Sequence, residues 1–252
     1  MSTVSKFVWH DLMSLDVEKS KRFYGEMFNW RIWAGKDGGP YLHLSAGEKD
    51  IGGMMPLDAK HGAPSHWVGY ISTDNVDEVV TKTTQAGGKL LVGAMDMPRV
   101  GRFALVQDPQ GGVFSPFKSS TDMTSPGDPK RAAGEFCWDE LVVADPAAAV
   151  AFYGGIFGWT HETMAMPEGG TYYVLKAGAD NVAGVMKTPK GAPAHGHWIT
   201  YVAVDDTDAA RERVSKLGGR PLSEAMTVPN VGRFAYLMDD GKTAFAVMGP
   251  GK

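Results

Sequence analysis

Apolar and polar residues alternate from Phe7 to Met13, the period-2 pattern of a strand with one buried face. Asp16 then stands where a helix N-cap is needed, and Phe23, Met27 and Phe28 share one face of the helix that follows. A new strand begins at Trp30. Strand-like runs come next at Tyr41–Ser45 and Ile51–Pro56, the second carrying Gly52-Gly53. The same order then recurs. It begins with a strand over His66–Thr73 and continues with a helix capped by Asp74 that runs through Val76, Val79, Val80 and Thr83 to Gly87-Gly88. Strands over Lys89–Met97, Arg102–Gln107 and Gly112–Phe117 complete it.

The whole pattern is written twice. Trp9, Asp11, Leu12, Asp16, Phe23, Tyr24 and Trp30 are answered 129 residues later by Trp138, Glu140, Leu141, Asp145, Phe152, Tyr153 and Trp159. Farther along the offset is 131: His66-Trp67 is matched by His197-Trp198, and Val100-Gly101-Arg102-Phe103-Ala104 by Val231-Gly232-Arg233-Phe234-Ala235. The second copy has therefore gained two residues between Trp159 and Tyr172. Asp145 precedes Pro146 as a cap with proline at the first helical position, and Gly218-Gly219 closes the last helix. Residues 119–134 are polar and aperiodic and read as a linker. The expected fold class is α+β, with four β-α-β-β-β units in two modules, 1–118 and 135–252.

Composition narrows the function classes. The chain is 43% hydrophobic and 21% charged over 252 residues, within the range of ordinary globular domains. A net charge of −4 with scattered Lys and Arg argues against nucleic acid as a partner. No window approaches the roughly 18 apolar residues of a spanning helix, and Met1–Phe7 lacks the basic and apolar regions of a signal peptide. A cytoplasmic protein with no membrane partner is expected, as a monomer or a homodimer. The single cysteine, Cys137, rules out an intramolecular disulfide and a multi-cysteine metal site.

Asp16 with Phe23-Tyr24 ahead of Phe28-Asn29-Trp30, Asp145 with Phe152-Tyr153 ahead of Phe157-Gly158-Trp159, and Asp108-Pro109-Gln110-Gly111 before a final strand carry a family resemblance. In these features the chain resembles the vicinal oxygen chelate superfamily, which holds glyoxalase I, extradiol dioxygenases, fosfomycin-modifying enzymes and bleomycin-binding resistance proteins. It looks most like tandem two-domain glyoxalase-like proteins. The resemblance implies paired units curling a sheet around a cup, and in catalytic members a divalent metal held by His and Glu. The ligand positions it implies are Trp9, Val68 and Ser115 in the first half and Trp138, Ile199 and Ala246 in the second. None of these is a metal ligand of the family, so no cofactor is expected, and a divalent metal would need relocated ligands such as Asp11 with His66 or Glu140 with His197.

Strand alternation places Asp11 on the face of Trp9, and His66 and Tyr70 on the face of Val68; Glu140, with Trp138, and His197 and Tyr201 repeat the arrangement. Asp11 and Glu140 are the candidate catalytic residues. Each is either a satisfied carboxylate, bonded to backbone or to Tyr or Arg across the sheet, or a general base whose pKa an apolar cup has raised. Trp9, His66, Tyr70, Trp138, His197 and Tyr201 are the candidate ligand-binding residues. Each histidine either bonds a backbone carbonyl or transfers protons, and each indole either stacks on a planar ligand or plugs the empty site. Arg102 and Arg233 are expected to form a salt bridge across the module pair, or else to bind an anion. The expected partner is a small apolar or aromatic molecule bound without the family metal. A metal-dependent or acid–base enzyme and a scaffold protein with filled cups are the rivals.

Overall fold

The computed structural model describes residues 4–35, 38–121, 131–166, 169–191 and 195–251. Residues 122–130 of the expected linker lie outside the described residues. The first half runs β1 (Phe7–Ser14), α1 (Val17–Phe28), β2 (Arg31–Ala34), β3 (Leu42–Ala46), β4 (Lys49–Pro56), β5 (His66–Ser72), α2 (Val76–Gln85), β6 (Lys89–Met97), β7 (Gly101–Gln107) and β8 (Val113–Ser119). The second runs β9 (Phe136–Val143), α3 (Pro146–Phe157), β10 (Thr160–Ala165), β11 (Thr171–Ala177), β12 (Asp180–Lys187), β13 (His197–Ala203), α4 (Thr207–Lys216), β14 (Arg220–Pro221), β15 (Met226–Val228), β16 (Gly232–Met238) and β17 (Ala244–Gly249). Both halves build the same mixed sheet. Its order is β2-β3-β4-β1-β5-β8-β7-β6 in the first and β10-β11-β12-β9-β13-β17-β16-β14 in the second, with β15 paired to β16. This is the α+β architecture of four β-α-β-β-β units that the repeat predicts.

Local chemistry sets the helix ends. Asp16 accepts a hydrogen bond from the Lys19 N–H, and Asn29 ends α1 in the left-handed conformation at φ 56°. Asp145 and Gly158 do the same for α3, with Pro146 at its first position. The cap of α2 is Asn75, not Asp74. The Asn75 side chain accepts from the Glu78 N–H three residues on, the reach an N-cap oxygen has, and Asp74 stands one residue too early for it.

Contacts group the chain into two compact units that cross the sequence halves. One contains residues 1–9, 68–127 and 138–198; the other contains 10–67, 128–137 and 199–252. In the first, Ile71, Phe114, Leu141, Phe152, Tyr153, Trp159 and Trp198 share a core, so the later elements of the first half bury their apolar face with the earlier elements of the second. In the other, Leu12, Phe23, Tyr24, Trp30, Trp67, Phe136 and Phe245 do the same. The duplicated Leu12 and Leu141, Phe23 and Phe152, Tyr24 and Tyr153, Trp30 and Trp159, and Trp67 and Trp198 therefore build cores.

Asp108, in the β7–β8 turn, accepts backbone N–H bonds from Gln110 and Gly112 and a hydroxyl bond from Tyr153 on α3. The Trp198 indole in turn donates to the Tyr153 oxygen at 3.2 Å. In the other unit Trp67 donates to Tyr24 at 3.2 Å, and the charge of Asp239 lies close enough to add to burial in raising the Tyr24 pKa well above its ordinary value. Arg102 and Arg233 bind within their own halves rather than across the module pair. Arg102 forks onto Asp77 and also reaches Asp96, and Arg233 forks onto Asp208. Each guanidinium leaves its strand toward an Asp in the first turn of the neighbouring helix, where fork geometry and carboxylate match.

Candidate functional site

Strand parity decides where the carboxylates point. Leu12 on β1 and Met54 on β4 enter the core, which turns Asp11 to the opposite face of the sheet. Asp11 pairs in register with Gly53. Tyr41, at the entry to β3, reaches over that glycine and donates its hydroxyl to Asp11 Oδ1 at 2.7 Å. A Cβ at Gly53 would overlap the Tyr41 hydroxyl and stand 2.6 Å from Asp11 Oδ1, so this strand glycine is what lets the phenol lie flat on the sheet.

The second half repeats the device. Glu140 pairs in register with Gly184, the Tyr172 hydroxyl donates to Glu140 Oε2 at 2.9 Å, and the Trp138 indole donates to the Tyr172 oxygen at 3.0 Å. A Cβ at Gly184 would overlap Tyr172 and come within 3.1 Å of the Trp138 nitrogen. Asp11 and Glu140 are 4% and 3% exposed, so both tyrosine–carboxylate bonds are shielded from bulk water. The tyrosines were not among the candidates read from sequence. The signal was there: Tyr41 and Tyr172, like Gly53 and Gly184, stand 131 residues apart.

The other candidates are placed as follows. Trp9 and Trp138 are half-buried on the central strands β1 and β9. His66 shares its Nδ1 with the Pro64 carbonyl at 2.7 Å, and His197 shares its Nδ1 with the His195 carbonyl at 3.2 Å; burial pushes the His197 pKa down. Neither ring bonds Asp11 or Glu140. Tyr70 packs against Phe103 and Phe117, and the buried Tyr201 against Phe234 and Tyr236. Trp138 and Glu140 are thus brought together through Tyr172, and Asp11 is joined to Tyr41.

The donor set at the implied metal positions does not fit a divalent cation. Val68 and Ile199 are buried hydrocarbon, an indole nitrogen is a donor only, and the Ser115 hydroxyl is committed to the Ala104 carbonyl at 2.7 Å. Among the described residues no group of three His, Cys, Asp or Glu side chains stands close enough to hold a metal ion. No helix among them is long and apolar enough to cross a membrane.

The family model described as the Glyoxalase/Bleomycin resistance protein/Dioxygenase superfamily matches residues 6–114 and 136–246. A putative glyoxylase, CFP32, of Mycobacterium bovis is 34% identical over 252 residues, covering 96% of this chain and 94% of that protein. The anthracycline biosynthesis protein DnrV of Streptomyces peucetius is 29% identical over 255 residues, 95% of this chain and 91% of the relative. Among solved structures, the 2,2',3-trihydroxybiphenyl 1,2-dioxygenase of Sphingomonas wittichii superposes with a TM-score of 0.67 at 14% identity, covering 99% of this chain and 92% of that one. The Mn(II)-bound glyoxalase of Novosphingobium aromaticivorans gives 0.64, also at 14% identity, with 100% and 83% covered. At that identity the two structures speak for the fold alone.

Proposed function

The chain belongs to the glyoxalase/bleomycin resistance protein/dioxygenase superfamily, and we propose that within it the protein binds a small apolar or aromatic molecule without the family metal. The observation that carries this reading is the matched tyrosine–carboxylate pair on the face opposite each core: Asp11–Tyr41 over Gly53 and Glu140–Tyr172 over Gly184. Family ligand positions on that face hold Trp9 and Trp138, which offer stacking surface where a cation would need lone pairs. The pairs supply the few fixed polar groups that orient a mostly apolar ligand. The name of the anthracycline biosynthesis relative supports a planar aromatic ligand.

Titration of intrinsic tryptophan fluorescence with a set of planar aromatic compounds tests the reading. Saturable quenching that is reduced in Trp138→Phe supports it; a flat response across the set, with no organic adduct on the purified protein in native mass spectrometry, overturns it.

A catalytic reading draws on the relatives named putative glyoxylase and on the burial of Asp11 and Glu140. Either carboxylate would act as general base after its tyrosine swings away. Turnover of a methylglyoxal thiol adduct that survives chelator and is lost in Asp11→Asn or Glu140→Gln would establish it. Activity abolished by chelator would point instead to a metal held by other ligands.

A further inference from the structure

The two halves are not equally equipped on the face that carries the tyrosine–carboxylate pairs. In the first half a continuous ladder of side chains leads from Asp11 to the sheet edge. The His43 ring meets Tyr41 edge-on at 5.2 Å and lies parallel to the Trp33 indole at 4.4 Å and 17°, and the Arg31 guanidinium sits over that indole at 5.4 Å. Register explains the alignment: Trp33 pairs with His43 and Arg31 with Ser45 across β2 and β3, while the alternate residues Ile32 and Leu42 pack into the core on the opposite face. The indole is fixed in turn by its bond to Ser45 Oγ at 3.1 Å, and Ser45 donates to Asp50. The imidazole is therefore clamped by two aromatic rings, yet neither of its nitrogens hydrogen-bonds any described residue. Arg31 bonds only Ser45, at 3.5 Å, and pairs with no carboxylate among the described residues.

The second half has none of this. By register and repeat, Arg31, Trp33 and His43 correspond to Thr160, Glu162 and Val174. Lys176 closes an ion pair with Glu162 where the first half has Ser45 and Trp33. Its glycine, tyrosine and carboxylate are retained, but the imidazole and the unpaired guanidinium are not.

Building on the small-molecule reading above, we propose that the first half alone carries a subsite for the acidic group of a planar aromatic ligand, formed by His43 and Arg31 and held in place by Trp33. An aromatic body covering the Asp11–Tyr41 pair would direct a carboxylate or similar planar anion toward the His43 ring nitrogens, with the Arg31 guanidinium on the same indole adding its positive charge. These donors are already oriented by stacking, so little side-chain entropy is lost on contact. The second half, with its ion pair already satisfied, accepts only the neutral part of such a ligand.

The test is a matched pair of probes, 1-hydroxy-2-naphthoate and its methyl ester, titrated by calorimetry into the full chain. The acid is expected to bind at least about tenfold more tightly than the ester. That preference, read as the ratio of acid to ester affinity within each variant, should fall toward unity in His43→Val and decrease in Arg31→Thr, and should persist in Glu162→Ala and Lys176→Ala. If both probes bind and the preference is absent, or survives both first-half substitutions, the subsite is overturned while the binding reading stands. If neither probe binds the unsubstituted protein, the subsite is overturned, and the binding reading is decided by the wider compound set.

Discussion

The Tyr153 hydroxyl on α3 donates a buried hydrogen bond, 2.9 Å long, to Asp108 Oδ2 in the β7–β8 turn 45 residues earlier in the chain. Tyr153 belongs to the second half's Phe-Tyr signature, and Asp108 to the first half's Asp-Pro-Gln-Gly turn. The bond thus joins two motifs that sequence assigns to different modules, and Trp198 extends it by donating to the same tyrosine oxygen. Carboxylate, phenol and indole form one buried chain in which each polar atom depends on the next.

Removing the middle of that chain should be costly. Tyr153→Phe leaves the Asp108 oxygen and the Trp198 N–H without their partner in a closed site, and a loss of about 1–3 kcal/mol is expected. Urea unfolding measures it. A variant as stable as the parent would show that water or a shifted side chain replaces the phenol.

The same carboxylate gives a pH signature. Burial pushes the Asp108 pKa above its ordinary 3.8, opposed by the Tyr153 hydroxyl and the backbone N–H groups of the turn. The folded chain therefore holds this proton to higher pH than the unfolded chain. Asp108 contributes most stability below 3.8, and that contribution declines as pH rises through the window up to the raised value. Asp108→Asn, whose amide oxygen can keep the backbone bonds although its NH2 cannot accept the Tyr153 hydroxyl, cannot ionise and lacks this decline. Denaturation across the acid range should show the parent's advantage over Asp108→Asn shrinking as pH rises; an advantage that grew with pH would reverse the assignment.

Gly53 and Gly184 should resist substitution although both lie in strands. A methyl group at either overlaps the phenol above it and breaks the tyrosine–carboxylate pair. Gly53→Ala and Gly184→Ala are expected to cost about 1–3 kcal/mol each through overpacking and to weaken binding of aromatic probes. Thermal unfolding together with a probe titration reads both effects, and unchanged values in both would contradict the geometry.

The start of α2 offers a sharper comparison. Asn75→Ala removes the side chain that accepts from the Glu78 N–H and should cost about 1 kcal/mol. Asp74→Ala should leave that bond in place, so protection of the Glu78 amide from hydrogen exchange should drop in Asn75→Ala and not in Asp74→Ala; the reverse order would mean that the cap shifts in solution.

The candidate site was partly legible. Period-2 alternation puts Asp11 opposite Leu12 and Glu140 opposite Leu141, so the faces of the carboxylates follow from sequence. Their partners do not. Tyr41 reaches Asp11 only because three strands are in register with a glycine between them, and no local pattern spans 30 residues. His43 has no counterpart in the second half, where Val174 stands, so the repeat does not point to it; only the register of β2 and β3 brings it onto Trp33.

By itself the sequence determined the duplication, the four β-α-β-β-β units, the N-caps of α1 and α3 and which side of each strand is apolar, because these follow from backbone periodicity and neighbours a few residues apart. Tertiary structure alone decided that Tyr153 meets Asp108 of the other half, that Arg102 and Arg233 turn back to helices of their own halves, and that each core draws on both halves. The physical reason is common to all three. A hydrophobic stripe specifies that a face must be buried but not against which equivalent stripe, and when two copies offer nearly the same surface, only packing and the matching of individual polar atoms choose between them.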